Sequence, residues 1–375
     1  MILGQAGCDV LIAGGGPAGL AAAIALRQRG ADVLLADALR PPIDKPCGEG
    51  LMPDSRRDLA QLGVEPEPSQ GAEFGGILFA DGDASVSAEF PHGIGLGVRR
   101  PILHQILLDR AAELGVRMRW NAPVALRDGQ RATVGGELCA YRWLVGADGH
   151  ASRVRGWAGL DAGDLRSRRF GFRAHYHVAP WSPYVEIHWG TRGQVYITPV
   201  GPHEICVAAI TRHPGVRLSG ILRGIPSLRN KLANVATTDA ERGALTLTRR
   251  LHRVTRGNVA LIGDASGSAD AITGEGLAMG FRQALLLADS LSACNLDHYE
   301  ARHADILALP QRMAAMMLLL DRFEWLRGRA IPMLSAHPNH FREMLAVHVG
   351  EQPLRTFVLR HGAAFGALLL APRFS

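Results

Sequence analysis

Cysteine is sparse in this chain. The five cysteines (Cys8, Cys47, Cys139, Cys206, Cys294) are odd in number, scattered and free of Cys-x-x-Cys spacing, which argues against a disulfide framework and a zinc scaffold. No apolar stretch reaches the roughly 20 residues of a membrane span. The early apolar run at Val10 is short and soon broken by glycine, so no secretory leader is expected. A reducing cytoplasm is the expected compartment. The formal charge of +6 comes from dispersed arginines rather than a basic block. That speaks against a nucleic-acid partner and leaves anionic ligands such as nucleotides in play. There is no low-complexity segment and no internal repeat, and 375 residues suffice for one large or two intertwined domains.

What the chain does have is glycine in a pattern near its start. Residues 8–37 read CDVLIAGGGPAGLAAAIALRQRGADVLLAD. Residues 10–13 predict a buried parallel strand, 20–29 a helix stopped at Gly30, and 33–36 a second buried strand ending in Asp37. Between them lie Gly14, Gly16, Pro17, Ala18 and Gly19, at the spacing of a dinucleotide fingerprint. Gly14 permits the tight turn, Gly16 lets a pyrophosphate approach the backbone, and Gly19 lets the helix pack close to the strand. The helix N-terminus offers its N–H groups and dipole to phosphates. Asp37 stands where a carboxylate accepts from a ribose. A bare Gly-x-Gly-x-x-Gly is weak, but strand, helix and acid together predict a βαβ nucleotide site. They do not separate FAD from NAD.

Residues 40–53 form a turn-rich loop, with Pro41, Pro42 and Pro46 ahead of Cys47-Gly48-Glu49-Gly50. Such a run is neither helix nor central strand, and long ordered loops are often functional. A helix is expected over 55–62, strands over 75–90 with a turn at Asp81-Gly82, and a helix over 101–114 behind Arg99 and Arg100. Short strands are expected over 116–120, 124–126, 131–138 and 141–145, the last ending in Gly146-Ala147-Asp148-Gly149.

From 168 to 210 the apolar residues alternate with period two, predicting four half-buried antiparallel strands. Phe170, Phe172, Ala174, Tyr176 and Val178 share one face; Arg169, Arg173, His175 and His177 share the other. Residues 259–262 return to a parallel strand ending in Gly263-Asp264, and Thr273-Gly274-Glu275-Gly276 opens a helix to about 291. Helices are expected over 306–322, 341–349 and 355–370, with the Met/Leu stripe at 313–320 read as core and a lipid-facing patch as the lesser alternative.

Three elements now stand together: the Gly14/Gly16/Gly19 fingerprint, Asp148-Gly149-x-x-Ser152-x-Val154-Arg155, and Gly263-Asp264. The set resembles the FAD-dependent aromatic hydroxylase superfamily (the group A flavin monooxygenase fold), over roughly the first 290 residues. Flavin halogenases and geranylgeranyl reductases belong to the same superfamily. The Lys45-Pro46-Cys47-Gly48-Glu49-Gly50 loop and the Thr273-Gly274-Glu275-Gly276 helix start look most like the geranylgeranyl reductase and halogenase branch. The halogenase Trp-x-Trp-x-Ile-Pro signature is absent, and Tyr196-Ile197-Thr198-Pro199 stands where its end would fall, so halogenation is set aside.

The resemblance implies an α/β fold: a Rossmann-type βαβ FAD-binding domain, an inserted antiparallel-sheet substrate domain and a helical C-terminal region. The expected division is 1–165 with 245–295 for FAD, 166–244 with parts of 70–100 for substrate, and 296–375 for the helices. Gly14, Gly16, Pro17, Ala18, Gly19 and Asp37 are expected to hold the ADP half of FAD. Arg100, with Arg99 as competitor, is expected near the flavin phosphates and ribityl chain, where a permanently charged fork suits. Asp148 and Gly149 are expected to touch FAD and the nicotinamide donor, with Ser152 and Arg155 in support.

Gly263 and Asp264 are expected at the ribityl hydroxyls, a helix cap being the plain alternative for Asp264. Gly274, Glu275 and Gly276 are expected to direct backbone N–H groups at the flavin N1 and O2. Cys47 and Gly48 border the flavin face, or Cys47 is simply a packed small side chain. The candidate catalytic residues are Cys47, Glu49, Tyr196 and His175, among polar sheet residues that include Arg173, His177, Glu186 and His188. A metal held by His175 and His177 is disfavoured for want of a third ligand, and no metal is expected.

The function expected is an FAD-dependent oxidoreductase with NAD(P)H as electron donor. It would act as a monooxygenase hydroxylating or epoxidising a hydrophobic aromatic, polyketide-like or alkene substrate through a flavin hydroperoxide. Two alternatives stay open: a geranylgeranyl-reductase-like enzyme saturating C=C bonds of a lipid-like substrate, and a non-catalytic flavin-binding or membrane-surface protein. The expected partner is a small hydrophobic substrate, with peripheral membrane contact as a further option and the oligomeric state open.

Overall fold

The computed structural model describes residues 7–127 and 129–370; the outermost residues of the first and last expected domains lie outside the described residues. Short apolar runs form the centre of a parallel sheet. Gly7–Ala13 lies between Val33–Ala36 and Glu137–Gly146, with Arg117–Arg119 and Val259–Leu261 outside them, all in parallel. Strands buried on both faces need no polar alternation, and Val10, Leu11, Ile12 and Leu144 are fully buried. The helices Pro17–Gln28 and Gly276–Ser292 pack against each other beside this sheet.

Residues 131–138, expected as one strand, are two. Gly135 and Gly136 take φ of +58° and +93° and turn the chain into a hairpin between Arg131–Val134 and Glu137–Gly146.

The second large sheet runs Arg242–Leu251, Gly163–Tyr176, Glu204–Thr211, Gly193–Gly201, Tyr184–Gly190, Gly76–Asp81, Ala84–Glu89, antiparallel except where Tyr184–Gly190 and Gly76–Asp81 pair in parallel. The four strands expected from alternation are its centre. The strand Arg242–Leu251 carries it past the boundary expected at residue 244. Alternate residues face opposite sides of a strand. Phe172, Ala174, Ile197 and Val207 therefore pack against two short helices, Leu218–Leu222 and Pro226–Leu232, too short to show a helical period in sequence. Ile187, Tyr196, Ala208 and Ile210 face the other way, toward the C-terminal helices.

A small third sheet, Gly50–Leu51 with Gly95–Gly97 and Ala72–Phe74, packs against the strand Gly193–Gly201.

The C-terminal region has four helices, Leu296–Arg322, Glu324–Ala336, Pro338–His348 and Leu354–Leu370, where three were expected. The first begins ten residues earlier than its apolar stripe because the Asn295 side chain caps it, accepting from the His298 N–H at 3.0 Å. The unexpected Glu324–Ala336 helix carries an internal proline, Pro332, which sequence reading takes as a breaker. Met313, Met317 and Leu320 are buried, and Met317 and Leu320 pack with Ile331, Leu334 and Phe341. Among the described residues no helix is long and apolar enough to cross a membrane.

Two glycines set the spacing of the first turn. Gly14 has φ of +117°, and a Cβ there would collide with the Ala147 carbonyl at the end of the neighbouring strand; a Cβ at Gly19 would collide with the Gly14 carbonyl. A Gly19→Val variant is therefore expected to lose roughly 2 kcal/mol or more of unfolding free energy, as overpacking between rigid backbones does. Urea denaturation checks this; an unchanged midpoint would refute the packing assigned to Gly19.

Candidate functional site

The C-terminal ends of the parallel strands open on a cavity of about 890 Å³. Gly14, Gly16, Pro17, Ala18 and Asp37 form one wall, and Asp148, Gly149, Gly263 and Asp264 another. Cys47, Gly48, Arg100, Gly274 and Gly276 also line it. Thus 14 of the 16 cofactor positions expected from sequence meet at this cavity. Gly19 lies inside its helix, and Glu275 has its carboxyl buried behind the wall, pushed above the usual carboxylate range by burial.

Each polar group has a local reason for its place. The two Asp37 oxygens accept from the Gly15 N–H at 2.6 Å and the Leu39 N–H at 2.7 Å, which locks the glycine turn to the second strand. From below, the buried His104 Nε2 donates to the Gly15 carbonyl at 2.8 Å. Ser152 caps the short helix Arg153–Trp157, accepting the Arg155 N–H at 3.0 Å, and Asp148 accepts the Arg153 N–H of its first turn at 2.7 Å. Arg155 bonds the His150 carbonyl at 2.8 Å and the Ala265 carbonyl at 3.1 Å, tying the Asp148-Gly149 turn to the Gly263-Asp264 turn.

Arg100 starts the helix Arg100–Glu113 and lines the cavity, whereas Arg99 points away, to Asp239 at 3.1 Å and Glu204 at 3.4 Å.

Asp264 is not a helix cap. Its carboxylate meets Lys45 Nζ at 2.9 Å and His150 Nε2 at 3.1 Å. Burial alone would raise its pKa; the charges of Lys45 and His150 outweigh that and hold it below the usual carboxylate range. Burial pushes His150 below its ordinary value, so Lys45 is the main cation that Asp264 meets. Lys45 and His150 both line the cavity, and neither was singled out from sequence as a cofactor contact. Each has a marker: His150 follows Asp148-Gly149 directly, and Lys45 precedes Pro46-Cys47-Gly48 within the proline-rich loop. Leu39, Pro123, Val124 and Trp157 add apolar lining that carries no sequence motif.

The candidate catalytic residues divide. Cys47 is half-buried on the cavity wall, and its Sγ accepts the Glu49 N–H at 3.4 Å. Tyr196 lines the cavity with its ring, but its hydroxyl is taken by the Ile272 carbonyl at 2.7 Å. Glu49 and His175 do not line it; they form an ion pair at 2.6 Å, both side chains fully buried.

Glu186 and His188, expected over the active site, lie on the opposite sheet face. They pair with each other at 2.8 Å, and Glu186 accepts from the Trp181 indole on the side of the short helices. The register explains this, because Ile187 between them faces the core beneath the C-terminal helices. His177 is exposed beyond the strand end at Tyr176, so it cannot join His175 as a ligand. Glu49, His175 and Cys206 bring ligand-type atoms within 4.8 Å of one another, yet the Arg173 guanidinium, 2.8 Å from Glu49, already supplies the positive charge there.

The cavity suits a large dinucleotide. At Gly16, Gly48, Gly149, Gly274 and Gly276 a Cβ would meet no atom within 4 Å, so these five backbones face open space. A helix N-terminus, glycine backbones and flanking carboxylates are the donor and acceptor set that FAD needs.

The comparisons agree. The FAD binding domain family model matches residues 7–191. The 12-dehydrotetracycline 5-monooxygenase/anhydrotetracycline 6-monooxygenase of Streptomyces rimosus is 30% identical over 373 residues, covering 87% of this chain and 73% of that protein. The digeranylgeranylglycerophospholipid reductase of Methanothrix thermoacetophila is 27% identical over 304 residues, covering 72% of this chain and 74% of that protein. The solved structure of the OxyS anhydrotetracycline hydroxylase from Streptomyces rimosus matches with a TM-score of 0.71 and 25% identity, covering 92% of this chain and 76% of that one.

Fold, glycine cradle and relatives together define an FAD-binding oxidoreductase. The chain belongs to the FAD-dependent aromatic hydroxylase superfamily, and the non-catalytic alternative falls away.

Because Gly16 has φ of −71° and open space at its Cβ, Gly16→Val is expected to fold with stability within about 0.5 kcal/mol of the parent. The same valine fills the cradle, and FAD affinity is expected to fall by a factor of about 100 or more. Thermal melts of the FAD-free protein and a fluorescence titration with FAD separate the two effects; undiminished FAD binding would count against the cradle.

Proposed function

We propose that this protein is an NAD(P)H-dependent monooxygenase acting on a hydrophobic aromatic, polyketide-like or alkene substrate. The observation that carries the reading is the continuity of the cavity. Its dinucleotide walls run without a break onto the apolar face of the antiparallel sheet, at Gly171, Ala208, Ile210 and Ala244. Across the strands, Gly171 sits between Ile210 and Ala244, and Ala208 stands beside Tyr196. Small residues at neighbouring positions make a shallow floor, and a flat multi-ring molecule fits such a floor better than a branched one. Similarity to tetracycline monooxygenases supports the same substrate class.

Bound FAD would supply the redox chemistry, taking hydride from the nicotinamide and activating O2. The chain's own part is to bind, orient and keep water out. The N-terminus of the 17-residue helix Gly276–Ser292 points its free N–H groups at the cavity, a place for developing negative charge. Tyr196 contributes a rigid ring wall, since its hydroxyl is already satisfied. No second dinucleotide fingerprint occurs in the sequence, so the nicotinamide donor would visit this same cavity, or another protein would deliver the electrons.

The second reading, reduction of C=C bonds in a lipid-like substrate, is favoured by the Lys45 to Gly50 loop and by the 27% identical lipid reductase. The two readings part in the product. With FAD-loaded protein, NAD(P)H and 18O2, a polycyclic aromatic panel is expected to stimulate NAD(P)H consumption and yield product carrying one 18O atom. A product that gains two hydrogens and no oxygen, formed equally well without O2, would replace the monooxygenase reading with the reductase one.

A further inference from the structure

Behind the cavity wall lies a cluster of buried charges with Glu49 at its centre. One Glu49 oxygen accepts from Arg173 Nη1 at 2.8 Å and from the Arg100 main-chain N–H at 2.9 Å; the other meets His175 Nε2 at 2.6 Å. Arg173 also holds both Asp44 oxygens, each at 3.0 Å. His175 Nδ1 lies 2.8 Å from Asp239, whose second oxygen accepts the His175 main-chain N–H at 3.0 Å.

An imidazole held between two carboxylates donates from both nitrogens, and that requires the imidazolium. The cations Arg99, Arg173, Arg242 and His175 then match the anions Asp44, Glu49, Glu204 and Asp239. The remaining group facing Glu49 is the buried Cys206 thiol, whose Sγ is 3.7 Å from the Cys47 carbonyl. Removing one member strands a buried charge, so the members act as a unit.

The cluster grips the cavity wall from outside. Cys47 and Gly48, just ahead of Glu49, line the cavity, and so does Arg100, whose N–H rests on the Glu49 carboxylate. Glu49 itself has φ of +60°, a conformation that a residue with a Cβ keeps only where its surroundings hold it.

We propose that Glu49 and His175 are positioning residues: their ion pair clamps the Cys47-Gly48 segment and the Arg100 helix start onto the antiparallel sheet, and so sets the part of the cavity where cofactor and substrate meet. The inference rests on the FAD reading of that cavity. The clamp is sensitive to pH. Burial by itself lowers the His175 pKa, but the hydrogen bond and charge of Glu49, with the hydrogen bond of Asp239, outweigh burial and the opposing Arg99, leaving it above its ordinary value. A raised histidine pKa means the clamp is complete below about pH 6.5 and loosens as pH rises through the raised value.

Hydrogen–deuterium exchange over residues 43–51 of the full-length, FAD-loaded protein tests the clamp, after correction for the intrinsic pH dependence of exchange. At pH 6 the segment is expected to be protected. In Glu49→Gln and in His175→Gln it is expected to exchange about tenfold faster or more, while the strand Gly7–Ala13 is unchanged. The native protein is expected to show the same loosening between pH 6 and 10. Equal protection in the variants, or a flat native pH profile, overturns the proposal. If neither variant folds, the native pH series decides alone. A native protein that stays colourless in excess FAD overturns the cofactor reading instead, and the exchange profile of the FAD-free protein still reports on the clamp.

Discussion

The structure depends on backbone passing against backbone at Gly14. The turn after the first strand lies so close to Ala147, at the end of the neighbouring strand, that any side chain would force them apart. Gly19 repeats the constraint one helical turn later against Gly14 itself. Because these approaches bring strand ends, helix N-terminus and the Asp148 turn to one point, polar groups from distant parts of the chain face a common space. Asp37, Asp148 and Asp264 then spend their carboxylates on backbone N–H groups or on Lys45 and His150, which fixes the walls. Satisfied polar groups on rigid elements are what a preorganised cofactor site requires.

The parallel half of the fold is readable in the sequence because its central strands carry short apolar runs, at residues 10–13, 33–36, 143–145 and 259–261. The fingerprint, the second acid and the Gly263-Asp264 turn are local patterns, and each local pattern fell where it was expected. What escaped reading was set by tertiary contact. The Glu324–Ala336 helix carries a proline and a weak apolar stripe, and it persists because Ile331 and Leu334 are buried against Met317 and Phe341. Period two told which strand residues share a face, but not which face looks at the cavity. Period-two reading alone therefore expects Glu186 and His188 over the site, whereas they sit on the far side of the sheet. The choice between Arg99 and Arg100 was likewise undecidable from sequence. Adjacent residues at a helix start diverge by about 100°, and the acids that attract Arg99 are more than 100 positions away.

The same limit hid the charge cluster. Glu49, Asp44 and Asp239 lie in loops, Arg173 and His175 on a strand, and nothing in their local spacing announces a meeting. Reading Glu49 and His175 as catalytic was reasonable chemistry for residue types with the right protonation range. In the structure both are buried and paired with each other, and a carboxylate holding three donors has little capacity left for a substrate.

A charge cluster of this kind is an expensive way to hold two segments together. Well-packed apolar side chains of equal volume would commonly be as stable or more so. What charges add over apolar packing is geometry: a bidentate guanidinium and an imidazolium fixed at both nitrogens define distance and angle, whereas apolar contacts slide. The segment held this way carries Cys47 and Gly48 past the cavity, and a small lateral shift there would change the room between cofactor and sheet. Hydroxylation and C=C reduction can share every contact made to the dinucleotide. They differ in what sits over the reactive ring and in whether O2 and water reach it. The discriminating structure is therefore on the substrate side, in the Cys47-Gly48 wall and the Gly171, Ala208 and Ala244 floor, and not in the glycine turn that defines the family.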